Sequence, residues 1–181
     1  MIASTQLPEP LTTAVAAFTK YWNSIRPPFA CSFDGDASDI HALDFIVYEM
    51  GSDFPGGHRA AGLMLGQVFV ESGGFDWLVD SDDRLFVGRT NYPRVCLDPI
   101  ARSVEQENSG VPQYSKFARI SGEMLLAGPF VREMLDEEHE AKLHELAALS
   151  IDATVEVDVA LVCDLLAACK DYLARLAETG G

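Results

Sequence analysis

Between Ala60 and Val70 the chain runs Ala-Ala-Gly-Leu-Met-Leu-Gly-Gln-Val-Phe-Val, with Gln67 its single strongly polar side chain. Such a stretch has to be buried. Ala61, Leu65, Val68 and Phe69 recur at helical spacing, and Gly73-Gly74 is a stop signal, so the pattern predicts a helix from Gly57 to Ser72. At about 1.5 Å per residue the run covers only about a third of a bilayer core, which argues against a membrane span. Gly62 and Gly66 fall on one side of this helix, each at a cost of about 1 kcal/mol in helix propensity. A ligand in contact with the helix is one explanation. The close approach of another part of the chain is the stronger one.

Around this helix the sequence is punctuated by proline, glycine and aspartate. Leu11 to Asn23 reads as a helix ended by Arg26-Pro27-Pro28, because proline has no N–H and disfavours a helical predecessor. Ser38 is placed to cap a second helix carrying Ile40, Leu43, Val47 and Met50. Asp76-Trp77-Leu78-Val79 and Arg84-Leu85-Phe86-Val87 are strand-like runs joined by the turn-forming Asp80-Ser81-Asp82-Asp83, and Arg94 to Leu97 extends this hairpin to a meander. Asp98-Pro99 then starts a helix that should end by Asn108-Ser109-Gly110. A helix opening at Gly128-Pro129 carries Val131, Leu135, Leu143 and Leu146, and Ile151 to Val157 reads as a loop or a short strand. A last helix, Asp158 to Glu178, should bury Val162, Leu165, Leu166, Cys169, Leu173 and Leu176 and expose Asp164, Asp171, Arg175 and Glu178.

The succession of Ala61 to Val68 with its two glycines, Gly73-Gly74, Trp77, a hairpin and Asp98-Pro99 resembles uncharacterised bacterial domains of the immunity-protein type. It spans about a quarter of the chain. The resemblance implies a fold more than a function, and it carries no catalytic residues across.

Composition sets the classes of partner. A chain of 181 residues, 48% hydrophobic and 23% charged, has the material for one domain, residues 1–181, with its own core. Its 28 acidic residues against 13 basic ones give a formal charge of −15. Nucleic acid is an unsuitable partner, since it is bound by releasing counterions to a basic stripe and the basic residues here are dispersed. A basic protein is a suitable one, because an acidic surface speeds its approach. The first basic side chain is Lys20, so the N-terminus lacks the charged start of a secretory signal. The four cysteines, Cys31, Cys96, Cys163 and Cys169, include no C-x-x-C pair and suit a reducing cytoplasm.

Motifs for chemistry fail on spacing. His139 and His144 are five apart, which on a helix turns the imidazoles about 140° from each other and rules out a shared zinc. The loops beginning at Asp34 and Asp80 lack the glycine and glutamate of a calcium-binding loop. Gly56-Gly57 before the third helix is a weak anion motif. No cofactor or metal is called for. Two groups stand out as candidate sites. Asp76, Asp80, Asp82 and Asp83 would form an acidic face on the hairpin, with Asp136 to Glu140 as a second acidic region. Gln67 and Glu71 lie one helical turn apart and would face Trp77. They make either a small polar pocket against an aromatic wall or a buried tryptophan with a satisfied carboxylate partner.

These observations predict an α+β domain, a small antiparallel sheet at about residues 75–98 packed against several helices. The expected function is that of a non-enzymatic binding protein, of immunity or inhibitor type, for a basic protein such as a toxin. The other class is an enzyme or small-molecule sensor with a site between the third helix and the sheet.

Overall fold

The chain folds around the apolar helix that the sequence singles out. The computed structural model describes residues 2–4, 9–25, 33, 39–50, 53–54, 56–89, 92–105, 116–127, 137, 141, 144 and 159–179. In chain order these form β1 (Ile2–Ser4), α1 (Glu9–Ile25), α2 (Asp39–Met50), α3 (Gly57–Gly73), β2 (Asp76–Val79), β3 (Leu85–Arg89), β4 (Tyr92–Leu97), α4 (Pro99–Glu105), α5 (Lys116–Ala127) and α6 (Val159–Thr179). The architecture is α+β, a small antiparallel sheet packed against several helices. The predicted helix at Gly128-Pro129 and the segment Ile151 to Val157 lie outside the described residues, save for Glu137, Ala141 and His144.

Helix α3 is buried on nearly every side. Its hidden residues include His58, Ala60, Ala61, Leu63, Met64 and Leu65 as well as the expected Val68 and Phe69. The one-faced stripe is therefore too narrow a reading, since a helix apolar all round belongs at the centre of a protein. α1, α2, α4, α6 and the sheet all pack on it. Its C-terminus ends in Gly74, at φ 69°, whose N–H returns to the Phe69 carbonyl. Only glycine holds that left-handed conformation without strain. Lys170 of α6 donates from Nζ to the Glu71 carbonyl at 3.0 Å, occupying another acceptor that the helix end leaves free.

The sheet is a meander in the order β1-β2-β3-β4, every pair antiparallel. Trp77 pairs with Val87, and Val79 with Leu85, so these side chains share one face. Trp77, Leu85 and Val87 join the main core from it. The sheet extends beyond the expected residues 75–98. Ile2–Ser4 pairs with Trp77–Val79 as an added edge strand, and a strand this short leaves no alternating pattern in the sequence. α5 is also additional. Phe117, Ile120 and Met124 are buried on it, and its first turn is held by Asp44 of α2, whose Oδ1 accepts from the Phe117 N–H. Asp44 is 2% exposed, and a buried carboxylate is tolerated when it takes such a charge-assisted hydrogen bond. The last helix follows the expected pattern, with Val162, Leu165, Leu166, Cys169 and Leu173 buried and Asp164, Asp171, Arg175 and Glu178 exposed.

The two glycines of α3 are where other parts of the chain come closest. A Cβ on Gly62 would lie 2.7 Å from the Ile100 Cα and 2.8 Å from the Pro99 carbonyl oxygen, so the first turn of α4 rests on its backbone. A Cβ on Gly66 would lie 2.1 Å from Cη2 and 2.6 Å from Cζ2 of the Trp77 indole. Gly66→Ala should therefore destabilise the protein by about 1–3 kcal/mol as overpacking outweighs the gain in helix propensity of about 1 kcal/mol. Adding Trp77→Phe removes the ring atoms that collide. Urea unfolding of the double variant should show the alanine costing clearly less than it does beside tryptophan, and equal costs in both backgrounds would refute this account of Gly66.

Candidate functional site

The two groups of residues predicted from sequence meet different fates in the fold. Gln67, Glu71 and Trp77 come together. The Trp77 Nε1–H donates to Gln67 Oε1 at 3.1 Å, and Gln67 Nε2 donates to Glu71 Oε1 at 2.9 Å. Trp77 is 1% exposed, and its ring fills the space between α3 and the sheet above Gly66. Of the two arrangements expected, this is a buried tryptophan with a satisfied partner. The partner is the Gln67 amide rather than a carboxylate, because Gln67 lies opposite the ring and Glu71 one turn further on, exposed to solvent.

The four aspartates of the hairpin do not form one cluster. Asp76 stands at the start of β2, beside Gly88, and its carboxylate is 3.5 Å from the Arg89 guanidinium. Four positions along a strand place it about 13 Å from Asp80. Asp80 is turned inward on the loop. Its Oδ1 accepts from the backbone N–H groups of Asp82, at 2.8 Å, and Arg84, at 3.0 Å, while Oδ2 meets the Arg84 guanidinium at 2.9 Å. The Arg84 N–H, partly opposed by local burial and aided by the Asp82 N–H and the guanidinium, holds the Asp80 carboxyl below its ordinary value of 3.8. Asp82 and Asp83 remain exposed. Of the second acidic region, only Glu137 is among the described residues, and it too is exposed.

The loop geometry follows from the sequence. The Asp83 N–H closes a turn on the Asp80 carbonyl at 3.3 Å, and Asp83 takes φ 57° before Arg84 pairs back with Asp80. A turn followed by a left-handed residue is a standard hairpin connection. Aspartate is one of the few residues other than glycine that tolerates that position.

Behind the exposed aspartates lies a cleft of about 660 Å³ between the hairpin turn, the start of α3 and α4. Its apolar lining is Val79, Leu85, Ile100, Ala101 and Val104. Its charged lining is Asp82, Asp83 and Asp98 against Arg59 and Arg84. Asp98 caps α4, its Oδ1 accepting from the Ala101 N–H at 2.8 Å. The cleft draws on three separated segments, and for that reason sequence reasoning identifies Asp98 only as a cap and Arg59 only within a weak anion motif. Val104 carries a signal of its own as a large apolar residue on a short helix, 46% exposed.

Among the described residues no group of three or more histidine, cysteine or acidic side chains is arranged to hold a metal ion, and no helix is long and apolar enough to cross a membrane. His139 lies outside the described residues, and His144 is exposed. Burial pushes the Cys169 thiol up to about 12, which leaves it a small core residue rather than a nucleophile. Compared with known protein families, curated proteins and solved structures, the chain matches none.

Two substitutions test the loop. The fold lowers the Asp80 pKa, so its ionised form adds stability that is full above the ordinary value of 3.8 and is lost as pH falls through the lowered one. The stability gap between the wild type and Asp80→Asn, measured by thermal unfolding, should be present at neutral pH and close below about pH 4. Asp83→Gly relieves the left-handed residue and should raise stability by up to about 1 kcal/mol, equivalent to about 2–4 °C.

Proposed function

We propose that this chain is a binding protein of immunity or inhibitor type that captures a basic protein through the tip of the β2–β3 hairpin. One observation carries the reading. The turn holds Asp82 and Asp83 in solvent at the mouth of an open, largely apolar cleft, on a chain of net charge −15. Charge at a distance governs encounter, and apolar surface within reach supplies contact energy once the partner has arrived.

The hairpin is less acidic than its sequence suggests. Arg89 stands against Asp76, and Arg84 lies 2.9 Å from Asp80 and 3.9 Å from Asp82, so the two arginines offset half of the four negative charges and the exposed remainder lies at Asp82 and Asp83. Asp80 serves the turn, and the surface offered to a partner is narrower than the four aspartates together.

Capturing basic proteins from host extract at low salt, then measuring association kinetics with each, tests the reading. The wild-type association rate should fall as salt is added, and Asp82→Asn combined with Asp83→Asn should slow association while leaving dissociation nearly unchanged. Both side chains are exposed, so stability should change by no more than about 0.5 kcal/mol for each. A partner whose association ignores both salt and these two charges would rule out the hairpin tip.

A further inference from the structure

The cleft behind the hairpin turn has a chemistry more particular than negative charge. Leu85 and Ala101 line its interior, and Val104 of α4 stands 46% exposed at its side. Such a volume falls in the range of sites that take a ligand or a short length of chain. Charge decides what kind. The lining acids Asp82, Asp83 and Asp98 face Arg59 and Arg84, but Arg84 is committed to the turn, 2.9 Å from Asp80 and 3.9 Å from Asp82. Counting that neutralising Asp80 with the lining, four acids stand against two arginines, a local formal charge of −2. Arg59 is exposed and makes no ion pair among the described residues, so it is the one lining cation left to oppose the acids.

A wholly apolar occupant would strip water from Asp82 and Asp83 with nothing in return, and an anion would enter against both the local and the global charge. Side chains with an aliphatic stem and a cationic head satisfy both parts of the lining, as lysine and arginine do when they lay their methylenes on apolar surface and keep the charge in water.

Resting on the binding-protein reading above, we infer that the cleft receives a short basic peptide segment of the partner. Its aliphatic side chains and lysine or arginine stems cover Leu85, Ile100 and Val104, and its cationic heads meet Asp82, Asp83 and Asp98. Arg59 disfavours this occupant and so tunes its affinity.

The test uses the full chain and three probes: a fluorescent peptide of alternating Lys and Leu, an all-Lys peptide of equal length, and laurate. Val104→Trp narrows the cleft without changing charge at a position already exposed. It should weaken the Lys-Leu peptide by about tenfold or more and the all-Lys peptide, which brings stems but no wholly aliphatic side chain, by clearly less. Arg59→Glu, at a residue that takes no part in the hydrogen bonds of the turn, should tighten the Lys-Leu peptide several-fold. Thermal unfolding verifies that each variant is folded, and either variant alone suffices to decide. Equal binding of the Lys-Leu peptide to the wild type and Val104→Trp, or no gain with Arg59→Glu, would overturn the cleft while leaving acidic capture intact. Laurate binding that Arg59→Glu abolishes would overturn it in favour of an amphipathic acid. If neither basic peptide binds the wild type at low salt, the cleft and the wider binding reading fall together.

Discussion

The indole of Trp77 lying on the bare backbone of Gly66 sets the distance between the sheet and the central helix. With a side chain on Gly66 the ring could not sit there, since an added Cβ would lie within 2.1 Å of it. With a smaller residue on β2 the gap would be empty, and interiors close-packed like organic crystals do not tolerate such gaps cheaply. The position of the hairpin follows from this contact. One turn earlier, Gly62 lets the first residues of α4 rest on the same helix, so hairpin and α4 are both referenced to α3. The cleft between them is the space those two placements leave.

Electrostatics then divides the labour among residues of one type. The loop aspartates differ by position alone. Asp80 closes the turn with its carboxylate, Asp83 supplies the left-handed residue that turns the chain back, and Asp82 carries charge at the tip. A net charge of −15 says little about where a field is directed. Pairing with Arg84 and Arg89 removes much of it from the hairpin, and exposure of Asp82 and Asp83 concentrates the remainder at one end.

The sequence shows most of this where structure is decided locally. The proline pair ends α1 within a few residues of its expected stop, the glycine pair ends α3, and the aspartate cluster forms the turn. Gly62 and Gly66 are legible as points of close approach because glycine in a helix interior needs a reason. Where partners come from afar the sequence is silent. β1 is three residues long and is defined only by pairing with β2. The cap of α5 stands on α2, although Phe117, Ile120 and Met124 do carry helical spacing within it. The bond from Trp77 to Gln67 depends on which way one face of α3 turns, and the cleft on three segments converging.

The carboxylate of Asp44 ties together two helices that lie far apart in the chain. It serves the first turn of α5 from 73 positions earlier in the chain. A short helix is marginal by itself, and closing so long a loop is costly in entropy before any contact rewards it. Docking of α2 and capping of α5 are therefore coupled, since the Phe117 amide finds this acceptor only where α2 is in place. Parting the two elements would uncover the apolar side of α5 and the buried wall of α2 together, so one aspartate and one amide stand between a closed surface and an adhesive one.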